Sequence, residues 1–118
     1  MLTRMQYDIL QLSGRSLAAL LQELQGEPEL FASANTLQEV ERNLLVFAQT
    51  LNHLPEALRL RLVQVDWHGW SHLQLLLEQN RQPRRAEVWY GTQSLVPATL
   101  ELMAKLRRQD PVWFEIAF

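Results

Sequence analysis

"TLQEVERNLLVFAQTLNHL", from Thr36 to Leu54, decides the fold. Leu37, Val40, Leu44, Phe47, Leu51 and Leu54 recur at alternating spacings of three and four. That spacing draws one apolar stripe along an α-helix, the mark of a packing seam. Thr36-Leu37-Gln38-Glu39, just ahead of the stripe, reads as a capping box in which the two ends satisfy each other's orphan backbone donors. Pro55 closes the helix and is placed to begin a short following one through Leu62.

Working outward, the remaining periodicity is also helical, and no stretch shows the sustained alternation of a half-buried strand. A first helix runs from about Leu2 to Leu24. Leu2, Met5, Ile9, Leu12, Ala19 and Leu20 are expected to line its inner face, widened by Leu17, Leu21 and Leu24. Gly26-Glu27-Pro28 stops it, and Glu29 to Ala32 can form one further turn. Asp66 caps a third helix from Trp67 to about Asn80, with Trp70, Leu73 and Leu77 inward and Trp67 and Leu76 flanking. Gly69 weakens its first turn by roughly 1 kcal/mol relative to alanine. After the loop Arg81-Gln82-Pro83, a fourth helix spans about Arg85 to Arg108, with Val88, Thr92, Leu95, Thr99, Leu102 and Leu106 in register. Pro97 falls inside it and is expected to kink it. The tail Asp110-Pro111-Val112-Trp113-Phe114-Glu115-Ile116-Ala117-Phe118 is apolar enough to pack on the bundle or on a partner. Four amphipathic segments with short connections predict an all-α fold, an up-and-down antiparallel four-helix bundle formed as one domain over residues 1–118.

Composition narrows the function. At 118 residues, 47% hydrophobic and 20% charged, the chain is an ordinary globular domain. It has no cysteine, which excludes disulfides, thiolate metal sites and cysteine nucleophiles. Arg4, Gln6 and Asp8 open the chain with no long apolar run behind them, so neither signal peptide nor membrane span is expected and the chain reads as cytoplasmic. A net charge of −2 removes the global basic bias that phosphate binding favours, so any nucleic-acid role needs a local patch. Arg81, Arg84 and Arg85 are that patch, able to grip a phosphate or nucleotide or to act as a solvated loop. Nearly all the basic residues are arginine, with Lys105 the only lysine.

"DWHGWSHL", from Asp66 to Leu73, holds two of the three histidines. His68 and His72 stand one helical turn apart and share a face. A catalytic zinc needs a third protein ligand, and none has the required spacing, so no metal or cofactor is expected. His53 closes the second helix, where a cation meets the helix dipole favourably. No Gly-x-Ser-x-Gly elbow or phosphate-binding glycine loop occurs.

The order of "VERNLLVFAQTLNHLPEALR", "VDWHGWSHL" and "EVWYGTQSLVPATLELMAKL" resembles the HepT-like proteins, small helical partners of minimal nucleotidyltransferases. The matching steps are Asp8-Ile9-Leu10, Arg42-Asn43-Leu44, Leu54-Pro55-Glu56, Trp67, Val88-Trp89 and Pro97, spread over nearly the whole chain. The resemblance implies a homodimer partnered by a nucleotidyltransferase antitoxin. In members that carry an arginine, an asparagine and a histidine-x-tyrosine step on the third helix, it implies a ribonuclease toxin. Here those positions fall on Gln74, Leu75, Gln79 and Arg81 counted from Trp67, or on Leu73, Gln74, Glu78 and Asn80 counted back from Trp89. Glutamine neither titrates near neutral pH nor carries charge to a phosphate. The expectation is therefore a HepT-like scaffold without nuclease activity, which works by protein binding. Trp113, Phe114 and Phe118 would then form interface. The alternatives are a ribonuclease toxin using a displaced set, Arg61 with His68 and His72, with RNA as its substrate, or a structural bundle of unrelated function.

Overall fold

The computed structural model describes residues 3–114; Leu2, Ile116 and Phe118, expected on a packed face or at an interface, lie outside them. The chain forms α1 (Thr3–Gln22), α2 (Glu27–Ala32), α3 (Ala34–Asn52), α4 (Glu56–Leu60), α5 (Trp67–Glu78) and α6 (Arg85–Tyr90). A π-helical segment (Gly91–Leu95) then leads without a break into α7 (Val96–Gln109), and a 3-10 turn (Pro111–Phe114) comes last. The fold is all-helical, with no strand among the described residues. None of these helices is long and apolar enough to cross a membrane.

The seam on α3 is as the spacing predicts: Val40, Leu44, Phe47 and Leu51 are buried on the helix, and Leu54 is buried just beyond it. The stripe packs on α1 on one side and α5 on the other. Its start differs. The helix begins at Ala34, and its N-cap Ser33 makes no side-chain cap hydrogen bond, so Thr36 lies inside the helix. Only Ser33 separates α2 from α3, so the chain is already helical before it reaches the expected box. Glu39, freed from that role, pairs with Arg42 at 2.6 Å.

On α1 the expected face holds in its second half, where Leu17 is buried and Leu20, Leu21 and, just past the helix end, Leu24 pack on the core, but not in its first. Leu12 is 64% exposed and Met5 53% exposed, whereas Thr3, Gln6, Tyr7, Leu10, Ser13, Gly14 and Leu17 are buried. The face is chosen by close approach and by a hydrogen bond rather than by apolar content. A Cβ on Gly14 would collide with Leu100 of α7. The buried amide of Gln6 donates 2.8 Å to the carbonyl of His53, covering an orphan acceptor at the end of α3.

The expected fourth helix forms as α6, the π-helical segment and α7. Pro97, with no N–H to give, is the second residue after the π segment, and the Val96 N–H between them reaches back to Gly91 O. The expected register holds across that turn: Val88, Thr92, Leu95, Thr99 and Leu106 are buried, and only Leu102 is half-buried, with Met103 buried beside it. On α5 a similar one-residue difference buries Leu76 and leaves Leu77 half-buried. Gly91 admits its neighbours closely: a Cβ there would lie 2.8 Å from Leu73 and 3.3 Å from Leu44.

The tail turns back onto its own chain. Phe114 is 2% exposed and meets Tyr7 edge-on at 5.2 Å, while Arg107 lies 4.9 Å over the other ring of that pair. Phe114 is thus enclosed in its own core and is not free to meet a partner; Trp113 remains half-buried.

At the centre, the Trp70 indole lies flat on Phe47, with centroids 4.8 Å apart and planes 13° from parallel. Its Nε1 donates 3.0 Å to Thr99 Oγ1, so α3, α5 and α7 meet at one residue. Trp70→Ala should cost about 3–5 kcal/mol of stability. Thr99→Val should cost about 1–3 kcal/mol by leaving the buried indole N–H unpaired. Urea unfolding followed by far-ultraviolet dichroism measures both, and a loss under about 1 kcal/mol for Trp70→Ala would contradict this packing.

Candidate functional site

The resemblance points to α5, and its residues have clear partners. Gln74 Oε1 accepts from Asn52 Nδ2 at 3.4 Å, and Gln74 Nε2 donates to Glu78 Oε1 at 3.3 Å. Glu78 Oε2 accepts from Gln49 Nε2 at 3.1 Å. This ladder of amides and one carboxylate ties the exposed edge of α5 to that of α3. Leu75 is 40% exposed, Leu73 is core, and Gln79 caps the helix through its backbone N–H to Leu75 O. Asn80 adopts a left-handed backbone (φ 49°) and its Oδ1 accepts from Arg84 Nη1 at 2.7 Å. Neither frame brings arginine and imidazole together on this helix.

Beside the ladder lies a hollow of about 440 Å³ lined by Val46, Gln49, Thr50, His53, Gln74 and Glu78. His53 is the C-cap of α3, the place its sequence position predicts. Its Nδ1 lies 2.7 Å from Gln49 O. A carbonyl only accepts, so Nδ1 carries a proton and Nε2 is left as the lone-pair or second donor site. Thr50 Oγ1 is already donating to Val46 O at 2.7 Å. No arginine or lysine lines the hollow, and Glu78 makes it repel phosphate.

The basic loop is largely neutralised. Arg84 forms a two-pronged pair with Glu41, Nε to Oε2 at 2.7 Å and Nη2 to Oε1 at 3.1 Å, with both side chains mostly buried. The Glu41 hydrogen bonds hold the Arg84 pKa above its ordinary value against the opposing effect of partial burial. Arg85 donates 3.0 Å to Glu27 and lies 4.6 Å over the Phe31 ring. Only Arg81 of the three has no ion-pair partner among the described residues. Arg61 likewise donates 2.9 Å to Asp110, which also accepts from the Trp113 indole at 3.0 Å. Glu27 and Glu41 are 58 and 43 residues away in the chain from the arginines they bind, so no local pattern announces them.

The histidine pair sits on an exposed face. His72 Nε2 is 3.9 Å from Glu87, and no group of three metal-ligating side chains converges among the described residues. The conspicuous polar contact nearby is Asp66. Its Oδ1 accepts from Gly69 N–H at 2.9 Å, as the capping pattern predicts, and its Oδ2 accepts from Tyr90 O–H at 2.8 Å. Gly69, expected only to weaken this turn, makes the cap possible: a Cβ there would collide with the Asp66 carboxylate. Sequence spacing alone does not reveal Tyr90 at this site, because 24 residues separate it from Asp66.

The Gly69 hydrogen bond, then that of Tyr90, holds the Asp66 carboxyl below its ordinary 3.8; bonding to Asp66 pushes the Tyr90 phenol above its ordinary 10.0. A depressed carboxylate contributes stability above its unfolded pKa and loses it as pH falls through the folded one. A raised phenol contributes below its unfolded pKa and loses it as pH rises through the folded one. Asp66→Ala should therefore cost about 1 kcal/mol at neutral pH. Relative to wild type, its melting-temperature deficit should shrink as pH falls below about 4, the ordinary carboxylate range. Thermal melts of the two proteins at pH 3 and pH 7 test this; an equal deficit at both would refute the assignment.

Compared with known proteins, the chain matches no family model, and no curated protein or solved structure matches it.

Proposed function

We propose that this chain is a HepT-like protein of the nucleotidyltransferase-linked toxin–antitoxin type, an up-and-down four-helix bundle that has lost the ribonuclease signature and acts by protein binding as a homodimer. In this reading α1, α3, α5 and the continuous α6–α7 helix are the four members, and α2 and α4 are short inserts. A minimal nucleotidyltransferase is the second partner that the resemblance implies.

One observation carries the loss of chemistry. The α5 edge holds Gln74, Leu75, Gln79 and Glu78, and the hollow beside it offers no cation to a phosphodiester. Cleaving RNA without a metal requires a group that moves a proton and a cation that meets the developing charge. His53 could do the first, and nothing beside it does the second. The displaced set fares no better: Arg61 is paired to Asp110, and His72 has Glu87 as its nearest acid.

Expression of the chain alone in a bacterial host should leave growth unchanged, and the pure protein should leave total RNA intact. The His68→Ala/His72→Ala double variant should behave as wild type in both assays. RNA cleavage by wild type that either histidine substitution abolishes would overturn the proposal, as would growth arrest relieved in the same way. Co-expression with a nucleotidyltransferase encoded beside the chain should yield a co-purifying complex.

A further inference from the structure

We infer that the exposed face of α4 and the residues just after it is the contact between two copies of this chain, related by a two-fold axis. This rests on the binding reading above and adds to it the surface used.

The two most exposed large hydrophobic side chains among the described residues are Val63, at 74%, and Leu60, at 67%. They stand three residues apart and line one hollow of about 380 Å³ with Trp67, Asn52, Glu56 and Arg59. Single exposed apolar residues are common on monomers, but neighbouring ones around a concave surface mark an interaction site. The charges on this face are the second observation. Neither Glu56 nor Arg59 has an ion-pair partner among the described residues, so both charges on this face are open to a partner. The Nε of Arg59 is also shut off from solvent without a hydrogen-bond acceptor.

Those unpaired charges select the occupant. Glu56 and Arg59 are one turn apart on α4, opposite in sign and on one surface. A two-fold axis places the same patch on both sides, so what lies at one position meets what lies at the other. Two α4 helices crossing antiparallel bring Glu56 of each copy to Arg59 of the other. Leu60 and Val63 then cover each other beside these pairs. A uniformly acidic or basic partner would satisfy one charge and oppose the other. A second copy satisfies both, which makes this chain the best-matched partner for its own surface.

Sedimentation velocity over a range of concentrations tests the proposal with four proteins. Wild type should dimerise. Glu56→Arg and Arg59→Glu each create two like-charge contacts across the axis, and each should raise the dissociation constant at least about a hundredfold. The double variant Glu56→Arg/Arg59→Glu should recover the dimer, which also shows that the substituted chains fold. Mixing the two single variants should give a heterodimer, since one then presents two acids and the other two bases. A dimer indifferent to both reversals overturns this surface while leaving dimeric binding intact. A wild type that is monomeric at every concentration overturns both. Failure of the double variant and of the mixture to associate, with helical dichroism unchanged, also overturns the surface.

Discussion

The fold depends on a single aromatic contact. Trp70 lies flat on Phe47 and hydrogen bonds to Thr99, so one side chain fixes the spacing of α5 against α3 and the rotation of α7. An offset ring pair adds about 0.5–1.5 kcal/mol beyond its buried area. The indole N–H adds direction, because a buried donor left without an acceptor costs more than the bond itself contributes. The same bond joins α5 to α7. Just ahead of Pro97, which has no backbone N–H to give, the helix widens into a π-helical turn. Gly91 at the start of that turn lets Leu73 and Leu44 close in without a Cβ between them.

Polar groups that look chemical in the sequence mostly finish helix ends. Gln6 closes the end of α3 from another helix, and Asp66 closes the start of α5 while holding Tyr90 at the end of α6. The Trp67 indole reaches back to Leu62 O at 3.0 Å and fixes the segment between α4 and α5. The dense run Asp66-Trp67-His68-Gly69-Trp70 therefore divides by face. Its inward members pack, its aspartate and glycine cap, and its histidine stays outside. Each role uses a residue type that also serves catalysis, which is why composition alone overstates the chemistry of this stretch.

How much was legible depends on the range of the forces involved. The α3 seam, the Asp66 cap and the Pro55 boundary were readable because their causes lie within one turn of the residues concerned. The face of the first half of α1 was not. Its choice depends on Leu100 approaching Gly14 and on the His53 carbonyl needing a donor, and an apolar count sees neither. The capping box at Thr36 failed for a related reason: the helix starts earlier because only Ser33 parts it from α2. The register of the last helix was readable too, since Val88, Thr92, Leu95, Thr99 and Leu106 are all buried, with Met103 taking the place expected for Leu102. Gln74 and Glu78 on the α5 edge were legible, whereas their hydrogen-bond partners Asn52 and Gln49 on α3 were set by packing alone.

The arginine loop shows how packing changes the meaning of charge. Arg81, Arg84 and Arg85 look like a phosphate grip in sequence, yet Arg84 and Arg85 hold the start of α6 to α3 and α2. An anion drawn to Arg84 would have to displace Glu41, whose side chain is only 17% exposed, and leave that carboxylate without its partner. Breaking a fully buried pair costs about 3–5 kcal/mol, and this partly exposed one costs less. Even a fraction of that sum would offset most of what a solvent-exposed phosphate contact contributes. Arginines that close on distant glutamates thus strengthen the fold at the expense of anion binding. Where sequence places opposite signs one turn apart without a distant partner, as at Glu56 and Arg59 on α4, the charges stay at the surface instead.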